Sequence, residues 1–300
     1  MSLSLVLNSN NVVNNGLNSQ YQYNFINGAF NVPVNSTMCI SNVTIPYSWF
    51  NLNSTLYNNV SFQYAFPDSS GNQTYTVSFP NGYYDVDDMN NYLQSQMILH
   101  KQYLVNGSGQ YVYYLTMTYN VTYYAVQVVC YNVPTSLPTG WSNPSGTTFP
   151  TTTATPQVII AGSNNFGSLI GFFSGTYPTV PQTVTTSFLS NTIPDGSPVN
   201  SLVMRCNLVD NNVAMPSDIV DSIPITNAVF GGNITYQPNF PKWVKMKAGK
   251  YTFMNVQLVD QNNRAIVAKD NNVLITILLI LVPQHQIIIV NGRGKYNINQ

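Results

Sequence analysis

The sequence predicts an all-β protein: a single jelly-roll sandwich with an inserted, mainly-β module that carries one helix. Three observations lead there. The 300 residues include no glutamate, and only 7% are charged, where about 25% is usual for a soluble domain. With few Lys, Arg and Ala as well, the strong helix formers are scarce, while Val, Ile, Thr, Phe and 21 Tyr favour pleated sheet. Short apolar runs also recur between Asn, Gly and Pro turns, as in a sandwich whose two sheets bury alternate residues. The formal net charge is zero, and a neutral surface lacks the self-repulsion that keeps monomers apart. A subunit of an assembly is therefore expected.

Residues 1–20 are rich in Asn and Ser and are expected to form an N-terminal arm. No basic residue precedes the apolar run that ends at Leu7, so a secretory signal is not expected. Tyr21 to Val34, Met38 to Phe50 and Asn59 to Phe66 read as strands, separated by turn residues at Asn27-Gly28 and Asn51-Leu52-Asn53. Tyr75 to Phe79 is a further strand, followed by Pro80-Asn81-Gly82 and the one convincing helix. Asp85 is its N-cap, Asp87 and Asp88 lie where the helix dipole favours negative charge, and Val86, Met89, Leu93 and Met97 form an apolar stripe. Tyr111 to Tyr119 and Tyr123 to Tyr131 read as a β-hairpin through Asn120-Val121-Thr122. Pro134 to Pro156, a Pro, Thr, Ser and Gly tract, is expected to be a long, mobile, exposed loop.

Strand periodicity returns at Leu202, Met204, Cys206 and Leu208, opposed by Val203, Arg205 and Asn207. Ser217 to Ile225, Ile234 to Gln237, Thr252 to Val259 and Val273 to Val282 complete the set. The last run is about ten residues long, half of what a membrane helix needs, and reads as a buried strand. The expected division is 21–72 with 182–285 as the jelly roll, 73–181 as the inserted outer domain and 286–300 as a C-terminal tail. The ends of such an insertion must lie close together.

Little in the sequence points to catalysis. His100 and His285 lack a nucleophile context, and the tightest carboxylate cluster, Asp85, Asp87 and Asp88, is explained by helix capping. Cys39, Cys130 and Cys206 are odd in number and set in strand-like runs, so buried thiols are expected rather than disulfides or a zinc site. Gly167 belongs to no phosphate-loop pattern. The Asn-x-Ser/Thr triplets, among them Asn35, Asn42, Asn120 and Asn233, occur as often as chance gives in so Asn-rich a chain. No cofactor, metal site or enzymatic activity is expected. Lys242, Lys245, Lys247 and Lys250 form the one concentrated basic patch, with Arg293 and Lys295 in the tail. These six are candidate assembly contacts, the basic surplus being too small for a nucleic-acid binder.

The run from Thr76 through Phe79, Pro80-Asn81-Gly82-Tyr83-Tyr84 and Asp85 to Leu93 resembles a strand, Gly-Tyr turn and helix module of the penton (minor capsid) proteins of virophages and Polinton-like viruses. Phe166-Gly167-Ser168-Leu169-Ile170-Gly171-Phe172 resembles the segment that closes that module. Met204 to Val209, Ser217-Asp218-Ile219 and Val259 to Asn263 resemble its C-terminal strands, in the same order. The resemblance implies a structural virion protein, a penton base assembled inside the host cell that forms homopentamers at the fivefold vertices of an icosahedral capsid. Its partners would be the major capsid protein of the surrounding shell and a host receptor met by the inserted domain, with no specific nucleic acid and no membrane span. Another minor capsid or vertex spike protein, or a carbohydrate-binding β-sandwich rich in Tyr and Asn, is the alternative.

Overall fold

The computed structural model describes residues 1–13, 17–26, 28–225 and 228–282, with the backbone of 287–291 and 294–298. The chain divides into two compact units, Met1–Trp49 with Val199–Gln300, and Phe50–Pro198.

The first unit is a jelly roll. Its eight principal strands are β1 (Ser2–Leu7), β2 (Gln20–Asn24), β3 (Thr37–Pro46), β4 (Ser201–Cys206), β5 (Ile219–Pro224), β6 (Asn233–Tyr236), β7 (Phe253–Asp260) and β8 (Leu274–Ile280). One sheet runs β1-β8-β3-β6 and the other β5-β4-β7-β2, with every neighbouring pair antiparallel. Consecutive strands alternate between sheets except β4 and β5, which pair within one sheet, and this is the double Greek key of the jelly roll. Period-two alternation gives each sheet an inner face: Ile275, Ile277 and Leu279 of β8 are buried, as are Leu202, Met204 and Cys206 of β4 and Met254, Val256 and Leu258 of β7. The turn after β7 closes on Asp260, which is almost wholly buried. Its carboxylate accepts from the amides of Asn262 and Arg264 and from the Arg264 guanidinium at 2.7 Å.

Two expectations need correction here. The N-terminal segment is not a separate arm: β1 pairs with β8 along its whole length, and Leu7 is fully buried. Its alternation of Ser and Leu, thin in apolar content as it is, suits an edge strand with one buried face. The boundaries also lie elsewhere than at 72/73 and 181/182. Ser61–Asp68 pairs with Gly71–Ser78 and with Gln157–Ile160, and Thr186–Leu189 pairs with Ala125–Cys130, so residues 50–72 and 182–198 belong to the second unit. In the C-terminal tail, Ile287–Asn291 pairs with Gly294–Ile298.

The second unit, Phe50–Pro198, sits in sequence between β3 and β4. Its larger sheet runs Gly175–Tyr177, Gln157–Ile160, Ser61–Asp68, Gly71–Ser78, and a second runs Thr186–Leu189, Ala125–Cys130, Leu115–Asn120. The 115–130 hairpin matches the sequence expectation, whereas Tyr111–Tyr113 departs from it to pair with Tyr103–Val105. Helix α1 (Val86–Leu99) is capped by Asp85, whose side chain accepts from the Asp88 amide at 2.7 Å while Asp88 accepts from the Asp85 amide. Met89, Leu93 and Met97 are buried, and Val86 packs at the margin of the same core.

The segments that carry the sequence resemblance meet in this core. Phe79 and Phe62 each stack on Phe166 of α2 (Phe166–Ile170), at centroid distances of 5.6 and 5.0 Å. Gly167 admits no side chain: a Cβ there would lie 2.6 Å from the Phe172 carbonyl and 2.7 Å from Ile160. Gly171 ends α2 at φ +78°, the left-handed conformation that glycine adopts without strain. Asn51 ties the two ends of the unit together, its buried amide donating to the carbonyls of Tyr84 and Gly196 at 2.8 and 2.9 Å. The Thr/Pro tract is irregular yet anchored, through a bridge between Val133 and Ala154, another between Val105 and Ser142, and the partial burial of Trp141 and Phe149.

Candidate assembly surfaces

The outer face of the β1-β8-β3-β6 sheet follows from the register. On β8 the residues that alternate with the buried set are Leu274, Thr276, Leu278 and Ile280. They lie opposite Thr44, Asn42, Cys39 and Thr37 of β3, while Ser2, Ser4 and Val6 of β1 continue the face on the other side. Leu274 is 41% exposed, Ile280 38% and Val6 47%. This is an apolar centre bordered by small neutral side chains. Among the described residues, charge reaches only its margins, at Lys245, placed opposite Thr37 by the pairing of Val244–Lys245 with β3, and at the Met1 amino group beside Ser2. The buried strand expected at Val273 to Val282 is buried at alternate residues, from Val273 to Leu281. The signal lay in the apolar run itself, interrupted only by Thr276, since a strand without alternation has two faces that favour cover.

The predicted lysine patch lies at one end of the sandwich, where three connections are hydrogen-bonded together. The amides of Asp210, Met246 and Lys247 donate to the carbonyls of Lys245, Ser36 and Leu208 respectively, and Gly249–Tyr251 pairs with Phe30–Val32. Lys245, Lys247 and Lys250 are exposed, and no acidic partner meets them among the described residues. Lys242 differs from them. Its ammonium meets Asp221 at 2.8 Å, and the Tyr236 hydroxyl donates to the other carboxylate oxygen at 2.7 Å. The Asp221 side chain is 7% exposed and that of Lys242 61%, so the lysine acts as the solvated lid of a buried carboxylate. The hydrogen bond to Asp221 holds the Lys242 pKa above its ordinary value, and burial foremost raises Tyr236. Val213, Trp243, Lys242 and Lys245 border one concavity of about 500 Å³, and Met215 and Phe240 project nearby in sequence into solvent. The patch is thus more apolar, and less positive, than the lysine count suggests. Arg293 lies outside the described residues, and Lys295 falls on the strand Gly294–Ile298.

Several other ionisable groups among the described residues have structural roles. Arg205 forms a two-pronged ion pair with Asp218 and donates to Asn263 at 2.7 Å. This joins three segments on which the C-terminal part of the sequence resemblance rests. All three cysteines are free and buried, and burial pushes the Cys130 and Cys206 thiols up to about 12, far from a reactive thiolate. His100 packs against Tyr75 at 4.5 Å, and His285 lies outside the described residues. No group of three metal-ligating side chains occurs among the described residues, and no helix among them is long and apolar enough to cross a membrane.

No family model and no curated protein matches this chain. Among solved structures it is similar to the mavirus penton protein, at 7% identity over 94% of this chain and 99% of that one, with a TM-score of 0.48. It is also similar to a chain of the Sputnik virophage cryo-EM structure, at 9% identity over 93% of this chain and 97% of that one, with a TM-score of 0.41.

Proposed function

We propose that this chain is a structural virion protein, a penton base whose homopentamers occupy the fivefold vertices of an icosahedral capsid. The observation that carries the assembly role is the outer face of the β1-β8-β3-β6 sheet, which is apolar at its centre, charged among the described residues only at its margins by Lys245 and the Met1 amino group, and exposed in the single chain. Such a face gains free energy when covered and loses little through desolvated charge. A ring of subunits is closed by heterologous contacts, each copy offering two different surfaces. The outer face supplies one of them, and the lysine end is suited to the surrounding shell. The penton identity draws support from the order of the sequence motifs and from the jelly roll holding a complete second unit between β3 and β4.

The test is the mass of the purified protein in solution by light scattering, with its position in particles read from electron micrographs. Pentamers and fivefold density are expected. Leu278→Ser with Ile280→Ser should give a folded chain of monomeric mass. A protein that is strictly monomeric in particles, or a double variant that still forms pentamers, would overturn the proposal. Density away from the fivefold axes would favour a cement or spike role.

A further inference from the structure

Beyond assembly, the second unit carries an aromatic concavity of about 540 Å³, bordered by Tyr111, Tyr113, Tyr131, Trp141, Asn132 and Thr116. We infer that this concavity binds a short, electrically neutral oligosaccharide. Tyr103, Tyr111 and Tyr113 come from the hairpin of Tyr103–Val105 with Tyr111–Tyr113, and their rings cluster at centroid distances of 4.7 to 6.4 Å. Tyr111 is 53% exposed and Tyr131 40%, so ring surface remains open to a ligand. Trp141 is fixed on the far wall, where its amide donates to Pro138 and the neighbouring Ser142 exchanges two backbone hydrogen bonds with Val105, at 2.8 and 2.9 Å. The Tyr131 amide donates to the Tyr114 carbonyl at 2.8 Å, which fixes the remaining wall. The site is therefore preformed, which lowers the entropic cost of binding.

The lining selects the class of ligand. None of the bordering residues carries a charge at neutral pH, so a sulfated, phosphorylated or sialylated ligand would lose hydration without meeting a counter-charge. Flat aromatic rings present an apolar surface with a polar tip, the counterpart of a sugar ring with a C–H face and a hydroxyl rim. The hydroxyl rim has partners: the amide of Asn132, whose Oδ1 already accepts from Thr185 at 2.8 Å, the Thr116 hydroxyl and the tyrosine hydroxyls. The volume is that of a small-ligand site, in a depression that stays open to solvent. A proline-rich peptide also stacks on such rings, but it is extended and occupies a long groove rather than a concavity of this size.

The 300-residue chain should be applied to a printed array of neutral, sialylated and sulfated glycans. Any neutral glycan retained is then titrated calorimetrically as the free oligosaccharide, alongside a proline-rich decapeptide. Retention of a neutral glycan is expected, weakened about tenfold or more by Tyr111→Ala and by Trp141→Ala and largely kept by Trp141→Phe. Tyr123→Ala, at the other end of the 115–130 hairpin, should leave binding unchanged. Thermal unfolding of each variant separates loss of ligand contact from loss of fold, and Tyr111→Ala, at an exposed ring, should melt with the parent protein. No retention of any neutral glycan, retention of acidic glycans alone, binding of the peptide in their place, or unchanged affinity in Tyr111→Ala would each overturn the inference. Because the titration needs no pentamer, its outcome is independent of the assembly proposal.

Discussion

Leu93→Ala tests whether the inserted unit stands on its own core. Leu93 is 1% exposed and lies between Met89 and Met97 on the buried stripe of α1, within the cluster that includes Phe79, Val126 and Phe166. The substitution removes three carbons, which at about 0.8 kcal/mol each amounts to about 2.4 kcal/mol of transfer free energy. The cavity left among neighbours held by two sheets raises the cost to roughly 3–4 kcal/mol. For a unit of this size that corresponds to a fall in melting temperature of roughly 6–16 °C. Segment-resolved hydrogen exchange is the decisive assay. Amides of Phe50–Pro198 should lose protection by about 3 kcal/mol, while those of β7 and β8 keep theirs. Ile98→Ala, on the exposed side of the same helix, should change protection by less than about 1 kcal/mol. A uniform loss across both units, or a loss below about 1 kcal/mol for Leu93→Ala, would refute the assignment of two separate cores.

Gly171→Ala should destabilise the inserted unit by at least about 2 kcal/mol, read from denaturant unfolding, because it combines a left-handed backbone with a Cβ pressed against the Thr192 carbonyl. Tyr114→Phe addresses alkaline stability. Burial raises the folded Tyr114 pKa to about 12, above an unfolded value of about 10, so its contribution is full below about pH 10 and is lost as pH rises through the folded value. The variant should therefore show a shallower loss of stability between about pH 10 and 12 in pH-dependent melting, and an unchanged slope would refute the cause. At about 0.5 M salt, where the Debye length is roughly 4–5 Å, pentamers should persist while attachment to the shell weakens. Vertex loss from salt-treated particles measures the second effect, and unchanged vertices in Lys245→Glu with Lys247→Glu would remove the electrostatic role of the patch.

Much of this architecture was legible in the sequence because it rests on local chemistry. Asp85 announces the N-cap, the 3–4 spacing of Met89, Leu93 and Met97 gives the helix face, and the alternation of Leu202, Met204 and Cys206 gives β4. What was not legible depends on pairings between distant segments. Ser61–Asp68 is as strand-like as β3, and nothing local says that its partner is Gln157–Ile160 rather than the sandwich. β1 looks like an arm until β8 lies beside it. The lysine patch was visible as a cluster, but the neutralisation of Lys242 required a carboxylate 21 positions away. The aromatic concavity was invisible for a similar reason, since Tyr111 and Trp141 become neighbours only once Val105 pairs with Ser142.

The edge pairing of β1 with β8 also imposes an order of events during synthesis. The Met1 amino group donates to the Leu281 carbonyl, across 280 positions of sequence, so β1 waits for its partner while the ribosome traverses everything between. At about 5–20 residues per second the delay is roughly 15–55 s. The second unit, whose partners all lie within its own stretch, can complete its core in that interval. β3 meanwhile has no neighbour in β8, and the apolar outer face of the first sheet does not exist until β8 emerges. The surface proposed to join one subunit to the next is therefore completed only once β8 has emerged and paired with β1 and β3.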